Sequence, residues 1–262
     1  MKGKTGSEPA ILTAESVTHY YGQRVGCRSL SLELNAGEVL GIVGESGSGK
    51  STLLHCLSGH LQPTRGTIRY RRNGQAVDLY GLPARERRGL LRTELGLVFQ
   101  DPRDGLRMRV SAGGNIGERL LAEGVRHYGK IRSEAERWLE TVEISTERID
   151  DLPETFSGGM RQRLQIARNL VTRPRVLFLD EPTSGLDVSV QARLLDLLRR
   201  LVADLGLSVI MVTHDLAVAR LLAHRLLVMR RGELVETGLT DRVLEDPQHP
   251  YTQLLVSSRL LV

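Results

Sequence analysis

The stretch "GESGSGKST" at residues 44–52 decides the fold of this chain. It follows the apolar run "VLGIV" and precedes "LLHCL", so it lies between a predicted strand and a predicted helix. Gly44, Gly49, Lys50 and Ser51 match the pattern G-x-x-x-x-G-K-S/T in that context. Glycines let consecutive backbone N–H groups curl around a phosphate, and the positive end of the helix faces the same anion. The stretch therefore predicts a phosphate-binding loop in an α/β domain.

The side chains of this loop indicate a nucleotide that is bound together with magnesium. Lys50 can reach the β- and γ-phosphates, and the Ser51 hydroxyl can bind Mg²⁺. A glycine-rich turn without a ligand is the alternative interpretation. A dinucleotide-binding turn is disfavoured, because no G-x-G-x-x-G with a suitably spaced acidic residue occurs here. The other candidate ATP-binding positions of the loop are Ser46, Gly47, Ser48 and Thr52.

A pair of acidic residues follows a second apolar run, in "RVLFLDEP" at residues 175–182. A phosphate loop binds a nucleotide, but hydrolysis also needs a magnesium carboxylate and a group that orients water. Asp180, at the end of the predicted strand, can hold Mg²⁺ through water. Glu181 points the other way and can polarise the attacking water. Taken alone, two acids after a strand are common loop or cap residues. The phosphate loop upstream makes the catalytic interpretation the stronger one.

Composition limits the other classes of function. The 262 residues are 40% hydrophobic, which is enough for a buried core. The formal charge of +5 comes from basic residues interleaved with acids, and aromatic residues make up only 4%, so nucleic-acid binding is not supported. Two cysteines, Cys27 and Cys56, are too few for a disulfide framework, a four-cysteine zinc site or an iron–sulfur cluster held by this chain alone.

The sequence shows no sign of membrane insertion. No apolar run approaches the roughly 18 residues that a spanning helix needs, and the start of the chain does not resemble a signal peptide. We therefore expect a cytoplasmic chain without direct membrane insertion.

The order of apolar runs predicts an α/β fold with a mainly parallel sheet and helices on both faces. Strand candidates recur along the chain, separated by helical patterns, at residues 38–43, 95–99, 175–179 and 208–212. Before about Tyr80, "SLSLEL" and "GTIRY" predict a small antiparallel β subdomain at the edge. Between Gln100 and Arg173 only helical patterns occur, which predicts an inserted helical subdomain. Within it, Ser133 and Glu136 are spaced as a capping box at a helix start.

Four more motifs make the chain resemble the ATP-binding-cassette (ABC) ATPases over nearly its whole length. They occur in the order of that family: "VFQDP", "FSGGM", "SGLD" and "VTHD". The resemblance implies a Q-loop glutamine at Gln100, which lies beside Mg²⁺ and acts in catalysis with Glu181. It also implies a D-loop at Asp187 and a catalytic switch histidine at His214. Alone, these residues also fit a strand end, a turn and a core histidine. Only the ordered set is specific.

The signature "FSGGM" has a physical sense of its own. Ser157 is placed to cap a helix, and the exposed N–H groups of Gly158 and Gly159 form a second anion site. Lys50 already serves the phosphates of its own nucleotide. The family resemblance therefore implies that two cassettes meet head to tail, so that each signature covers the ATP of the other. The second subunit is either a copy of this chain or a related ABC subunit.

Three further features come from the same resemblance. The signature departs from the usual LSGGQ, with Phe156 for leucine and Met160 for glutamine, which removes a polar contact. Tyr21 resembles the residue that stacks on adenine, with Tyr20 as the alternative and a plain strand-end tyrosine as the ordinary interpretation. The resemblance also implies the domain limits: an ABC ATPase domain at 9–240, a helical subdomain inserted at about 101–173, and a C-terminal extension at 241–262.

Two subgroups of the family fit the chain in different places. The stretches "LLRTELGLVFQDPRDGLRMRVSAGGNIGERLLAEGVRHYG" and "RIDDLPETFSGGMRQRLQIARNLV" resemble the ATP-binding subunit of the bacterial phosphonate carbon–phosphorus lyase. That resemblance implies a soluble lyase core as partner, with conformational change driven by ATP. The ending "DPQHPYTQLL" instead resembles ATPase subunits of oligopeptide, dipeptide and nickel importers. A third hypothesis is a docking module that binds ATP and scarcely hydrolyses it, which Glu181 and His214 argue against.

A basic stripe is the candidate docking surface for such a partner. Arg85, Arg88 and Arg92 are spaced by three and four residues in "LPARERRGLLRTE", which places them on one helix face. A solvated basic face is the alternative interpretation. Our hypothesis is that this stripe meets acidic residues of the lyase core.

Overall fold

The structure, a computed structural model, describes residues 9–258. Within this range the chain forms ten strands: β1 (Leu12–Tyr21), β2 (Arg24–Leu34), β3 (Val39–Val43), β4 (Arg65–Arg72), β5 (Gln75–Asp78), β6 (Leu95–Val98), β7 (Val176–Asp180), β8 (Ser208–Thr213), β9 (Arg225–Arg230) and β10 (Glu233–Leu239). The same range contains ten α-helices: α1 (Lys50–Leu57), α2 (Ala84–Thr93), α3 (Pro102–Gly105), α4 (Ala112–Ala122), α5 (Tyr128–Thr141), α6 (Gly158–Leu170), α7 (Val188–Leu205), α8 (Leu216–Leu222), α9 (Thr240–Glu245) and α10 (Pro250–Ser257).

A six-stranded, mainly parallel sheet forms the centre of the molecule. Its strand order is β10-β9-β3-β8-β7-β6, and only β10 runs antiparallel to its neighbour. The four strands predicted for this sheet are β3, β6, β7 and β8, which confirms the α/β fold class. Strands β9 and β10 were not predicted. They extend the sheet beyond β3 as a hairpin that turns at Arg231 and Gly232, both with positive φ.

Both faces of the central sheet are covered, as the continuous apolar strands predict. In β3, Val39 and Val43 belong to a core formed with α4 to α8 on one side. Leu40 and Ile42, which alternate with them, belong to a second core formed with α1 and the antiparallel strands on the other side. Buried on both faces, β3 holds the phosphate loop at a fixed position.

The predicted antiparallel subdomain is a separate four-stranded sheet of order β2-β1-β4-β5, not an extension of the edge of the central sheet. The segments "SLSLEL" and "GTIRY" lie in β2 and β4. Between Gln100 and Arg173 the chain is helical, with α3 to α6 and two short 3₁₀ turns at Thr146–Arg148 and Pro153–Thr155. This part therefore has the predicted helical character.

The capping-box prediction at Ser133 and Glu136 is wrong. Helix α5 already begins at Tyr128, so Ser133 lies inside it. The cap is His127, whose Nδ1 accepts a hydrogen bond from the Lys130 backbone N–H at 3.2 Å. A capping box is recognised by a serine or threonine followed three residues later by glutamate or glutamine, so this pattern cannot detect a histidine cap. The sequence therefore placed the start of α5 too far along the chain.

Candidate nucleotide site

The candidate site lies where three neighbouring parallel strands end. The phosphate loop follows β3, Asp180 and Glu181 lie at the end of β7, and His214 follows β8. Because β3, β8 and β7 are adjacent in the sheet, these segments meet at one edge. The carboxyl edge of a parallel sheet is where ligands bind in α/β folds.

The phosphate loop has a shape that requires glycine at Gly49. This residue has a φ of 99° and directly precedes the first residue of α1, Lys50. A Cβ atom at Gly49 would lie 2.0 Å from the carbonyl oxygen of Gly26 in β2. Any other residue would push the loop away from the antiparallel sheet, so the start of α1 is held in place by this close contact.

Lys50 is held against the backbone of its own loop. Its Nζ donates hydrogen bonds to the carbonyl oxygens of Gly44 at 2.9 Å and Glu45 at 2.8 Å, and the residue is 5% exposed. Burial lowers the pKa of this ammonium group, and the carboxylates of Glu181, Asp180 and Glu45 offset part of the shift. A bound phosphate would add negative charge beside a cation that has been partly stripped of water.

Oxygen donors suited to Mg²⁺ lie next to Lys50. The Ser51 hydroxyl donates to Asp180 Oδ1 at 2.9 Å, although the two residues are 129 positions apart. Asp180 is 5% exposed, and its Oδ2 lies 3.4 Å from His55 Nε2. A hydroxyl and a carboxylate are donors that Mg²⁺ prefers, so this pair fits the ion. His55 was not predicted as a site residue. Its position on α1, one helical turn after Ser51, was the sequence signal that could have indicated it.

Glu181 and His214 form a hydrogen-bonded pair through Glu181 Oε2 and His214 Nδ1. The Glu181 side chain is 14% exposed and that of His214 is 49% exposed. Glu181 has a φ of 43°, and its backbone N–H donates to the Val212 carbonyl at 2.9 Å. A left-handed backbone at a non-glycine residue costs about 1–3 kcal/mol and persists only where the surrounding structure holds it in place. The sheet edge thus fixes the direction of this carboxylate.

Gln100 also reaches the site, from the end of the segment that follows β6. Its Nε2 donates to Ser184 Oγ at 3.1 Å, and both residues line the same cavity as Lys50 and Glu181. Ser184 was not predicted, because a serine two residues after a proline looks like an ordinary turn residue.

A cavity of about 860 Å³ joins these groups, a volume that suits a small-molecule ligand. Tyr21, 51% exposed, lines it, and its ring meets that of His19 edge to face at 4.7 Å. Tyr20 is not among the lining residues. The other predicted loop residues that line it are Gly44, Ser46, Gly47, Gly49, Ser51 and Thr52.

Ser48 and the C-terminal helix depart from the expected arrangement. Ser48, predicted to bind ATP, is 4% exposed and does not line the cavity. From the other end of the chain, Leu254, Leu255 and Ser258 form part of the cavity wall. Sequence reasoning gave no place in the site to these three residues.

The signature residues lie apart from this cavity. Ser157 caps α6, and its Oγ accepts a hydrogen bond from the Met160 N–H at 3.3 Å. Ser157, Gly159 and Asp187 do not line the cavity, and Gly158 lines a neighbouring one beside Ser51. A Cβ at Gly159 would lie 2.5 Å from Val190 Cγ1, so this glycine also lets α6 pack closely on α7.

The two unusual signature residues contact one arginine. The guanidinium of Arg148 lies over the Phe156 ring, 4.4 Å from its centroid, and its Nη1 lies 3.6 Å from Met160 Sδ. Phe156 is buried, at 3% exposure. The replacements therefore form a packed group around Arg148 that stabilises the start of α6.

The basic stripe lies on α2. Arg85, Arg88 and Arg92 are exposed, and within residues 9–258 no ion pair is recorded for them. Arg88 and Arg92 line a groove of about 710 Å³. The other charged side chains of that groove are Arg107, Arg119, Arg126, Arg168 and Glu118. Separately, none of the helices in the described range is long and apolar enough to cross a membrane.

Comparison with known sequences gives a consistent family. The profile of the ABC transporter family matches residues 27–184, more than half of the chain. The Escherichia coli K12 protein named as a phosphonates utilization ATP-binding protein, PhnK, is 64% identical over 95% of this chain and 98% of its own length. The dipeptide transport ATP-binding protein DppD of Bacillus subtilis strain 168 is 38% identical over 93% of this chain and 73% of its own length.

Solved structures agree with the sequence comparison. The dimeric ATP-binding cassette MJ0796 bound to ADP and Pi has a TM-score of 0.78 and 28% identity, covering 87% of this chain and 98% of that one. The ABC transporter component cbiO1 from Clostridium perfringens has a TM-score of 0.78 and 28% identity, covering 91% of this chain and 92% of that one. Sequence and fold together show that the chain belongs to the ABC transporter family and is an ATP-binding-cassette ATPase.

Proposed function

We propose that this chain is the ATP-hydrolysing subunit of a phosphonate carbon–phosphorus lyase complex and drives conformational change in its soluble core in the cytoplasm. The observation that carries the proposal is the 64% identity to PhnK over 95% of this chain and 98% of that protein. The alternative, an importer ATPase, is favoured by the "DPQHPYTQLL" ending and by 38% identity to DppD. Both alternatives use the same ATP site and differ in the partner.

Within the ATP site, each residue has a proposed role. Lys50 binds the β- and γ-phosphates, and Tyr21 stacks on adenine. Ser51, Asp180 and Gln100 hold Mg²⁺, which when bound neutralises charge on the phosphate oxygens. Glu181 accepts a proton from the attacking water, and its hydrogen bond to His214 supports that assignment because it holds the carboxylate in one orientation.

A second cassette completes this site in our proposal. Ser157 and Gly159 lie outside the cavity that contains Lys50, so they are available to the nucleotide of another subunit. The dimeric form of MJ0796 supports the same arrangement here. The partner cassette is a second copy or a related ABC subunit, with Asp187 beside the shared interface.

We assign the ATPase role to residues 9–240, with the helical subdomain inserted at about 101–173. Residues 241–262 form a C-terminal extension in this division, of which 259–262 lie outside the described residues. The exposed arginines of α2 dock the lyase core, an assignment supported by the excess of positive charge in the adjoining groove.

Purification of the tagged chain from its native cells tests this function. We expect soluble lyase subunits to co-purify, and a polytopic membrane protein in their place would favour the importer. The double variant Arg88→Glu/Arg92→Glu should abolish co-purification and leave MgATP affinity unchanged.

The matched control is Arg65→Glu/Arg242→Glu. Both arginines are exposed, no ion pair within the described range is recorded for either, and the change in net charge is the same. This control should retain the partner. Retention of the partner by the α2 variant as well would remove the docking surface from the proposal.

A further inference from the structure

The C-terminal helix α10 is fastened close to the phosphate loop. The two residues that precede α10 are bound to β10 through the side chain of Glu236. Its carboxylate accepts hydrogen bonds from the backbone N–H groups of Gln248 at 2.8 Å and His249 at 3.0 Å. His249 Nδ1 in turn accepts one from the Tyr251 N–H at 3.1 Å, which caps the helix. These contacts fix the first turn of α10 relative to β10, and so fix where Tyr251 points.

Tyr251 reaches the phosphate loop directly. Its Oη accepts a hydrogen bond from the backbone N–H of Glu45 at 3.1 Å, and the residue is 3% exposed. The guanidinium of Arg230 lies over its ring, 4.8 Å from the centroid. Burial raises the pKa of the Tyr251 phenol, so the hydroxyl is neutral at physiological pH.

This hydrogen bond acts on the same peptide group that holds Lys50. The carbonyl of Gly44 and the N–H of Glu45 belong to one planar unit. The carbonyl accepts from Lys50 Nζ at 2.9 Å, and the N–H donates to Tyr251 at 3.1 Å. Rotation of this unit would break both hydrogen bonds, so the tyrosine hydroxyl fixes the carbonyl that anchors the ammonium group.

We propose that Tyr251 is a positioning residue for ATP binding: its hydroxyl orients the peptide group between Gly44 and Glu45 and thereby holds Lys50 where the triphosphate binds. The inference rests on the proposed role of Lys50. The C-terminal helix is then a structural part of the nucleotide site as well as one of its walls.

The variant Tyr251→Phe tests this, because it removes one oxygen and keeps the ring against Arg230. We expect the Kd for MgATP to rise about fivefold, the loss of one net hydrogen bond. KM should rise by the same factor with kcat within about twofold, since the bond acts on binding. The Glu45 amide should exchange hydrogen faster in the nucleotide-free protein.

Tyr128→Phe is the matched control. Tyr128 is 72% exposed on α5, and its Oη lies 3.4 Å from Arg132. This variant should change neither MgATP affinity nor Glu45 exchange. The nucleotide-free melting temperature of both variants should stay near that of the wild-type protein.

Three results would overturn the inference: unchanged MgATP affinity in Tyr251→Phe, unchanged Glu45 exchange, or a weaker affinity explained by a large drop in the nucleotide-free melting temperature. Lys50→Ala, measured alongside, separates this inference from the site assignment. Full affinity in Lys50→Ala would refute the role of Lys50 itself. Lost affinity in Lys50→Ala with full affinity in Tyr251→Phe would refute only the positioning role.

Discussion

At the scale of single residues, the site depends on pairs that lie far apart in the chain. Ser51 meets Asp180 across 129 positions, and Glu181 meets His214 across 33. The sequence motifs predict which residue types form such pairs. Whether the two side chains are in contact depends on the order of the strands in the sheet. Glu181 and His214 follow the neighbouring strands β7 and β8. Ser51 follows β3 and Asp180 ends β7, and these two strands lie on either side of β8, so the parallel order of the three strands brings both pairs to one edge of the sheet.

Replacement of the carboxylate tests the Glu181 role. Glu181→Gln keeps the shape of the side chain but cannot accept a proton, so kcat should fall about 100-fold or more. MgATP affinity should stay near the wild-type value, because Lys50 and the loop are unchanged. Steady-state phosphate release gives kcat, and a fluorescence titration gives the affinity. Wild-type turnover in this variant would remove Glu181 from catalysis.

Some residues of the site were beyond sequence reasoning for a physical reason. His55 follows Ser51 by one helical turn, but its position 3.4 Å from Asp180 depends on how α1 packs against β7. Tyr251 lies 206 positions from Glu45, in an ending whose only sequence signal was a resemblance to importers. The phosphate loop itself was predictable, because the residues that form it are consecutive in the sequence.

At the scale of elements, helix α6 connects fold and function. Ser157 caps it, Gly159 allows close packing on α7, and Arg148 contacts both unusual signature residues. The signature was predictable as a helix start, because a serine cap is a local pattern. The contact of Phe156 and Met160 with Arg148 was not predictable. It depends on how the 3₁₀ turn that contains Arg148 packs against the start of α6.

Loss of the cap should destabilise the nucleotide-free chain. Ser157→Ala removes the Oγ that accepts from the Met160 N–H, and the free energy of unfolding should fall by about 1 kcal/mol. Ser145→Ala is the control, because Ser145 precedes a 3₁₀ turn without a side-chain cap bond. Urea unfolding measures both. Equal stability of the two variants would show that the Ser157 cap has no stabilising effect.

At the scale of the whole molecule, the central sheet and the helical part were predictable from alternating apolar runs. The β9–β10 hairpin and the start of α5 were not. The hairpin needs β3 as a neighbour to become part of the sheet, and α5 is capped by a histidine ring. In both cases tertiary contacts or an unusual cap outweighed the local pattern.

Within the described residues, the cavity that contains Lys50 and Glu181 is not lined by Ser157, Gly158 or Gly159, and Gly158 lines the neighbouring cavity beside Ser51. For this reason we propose that a second cassette supplies its signature to this site. The basic groove beside α2 has a different lining, and we propose it as the docking surface for the lyase core. All of these roles depend on binding of the triphosphate by the phosphate loop.

Calorimetric titration of MgATP tests that binding most directly, with Glu181→Gln used to suppress heat from hydrolysis. We predict a measurable heat of binding for Glu181→Gln and an affinity at least about tenfold lower for Lys50→Ala/Glu181→Gln, because charge-assisted hydrogen bonds to phosphate are lost. No heat for Glu181→Gln, or equal affinities for the two variants, would contradict the account.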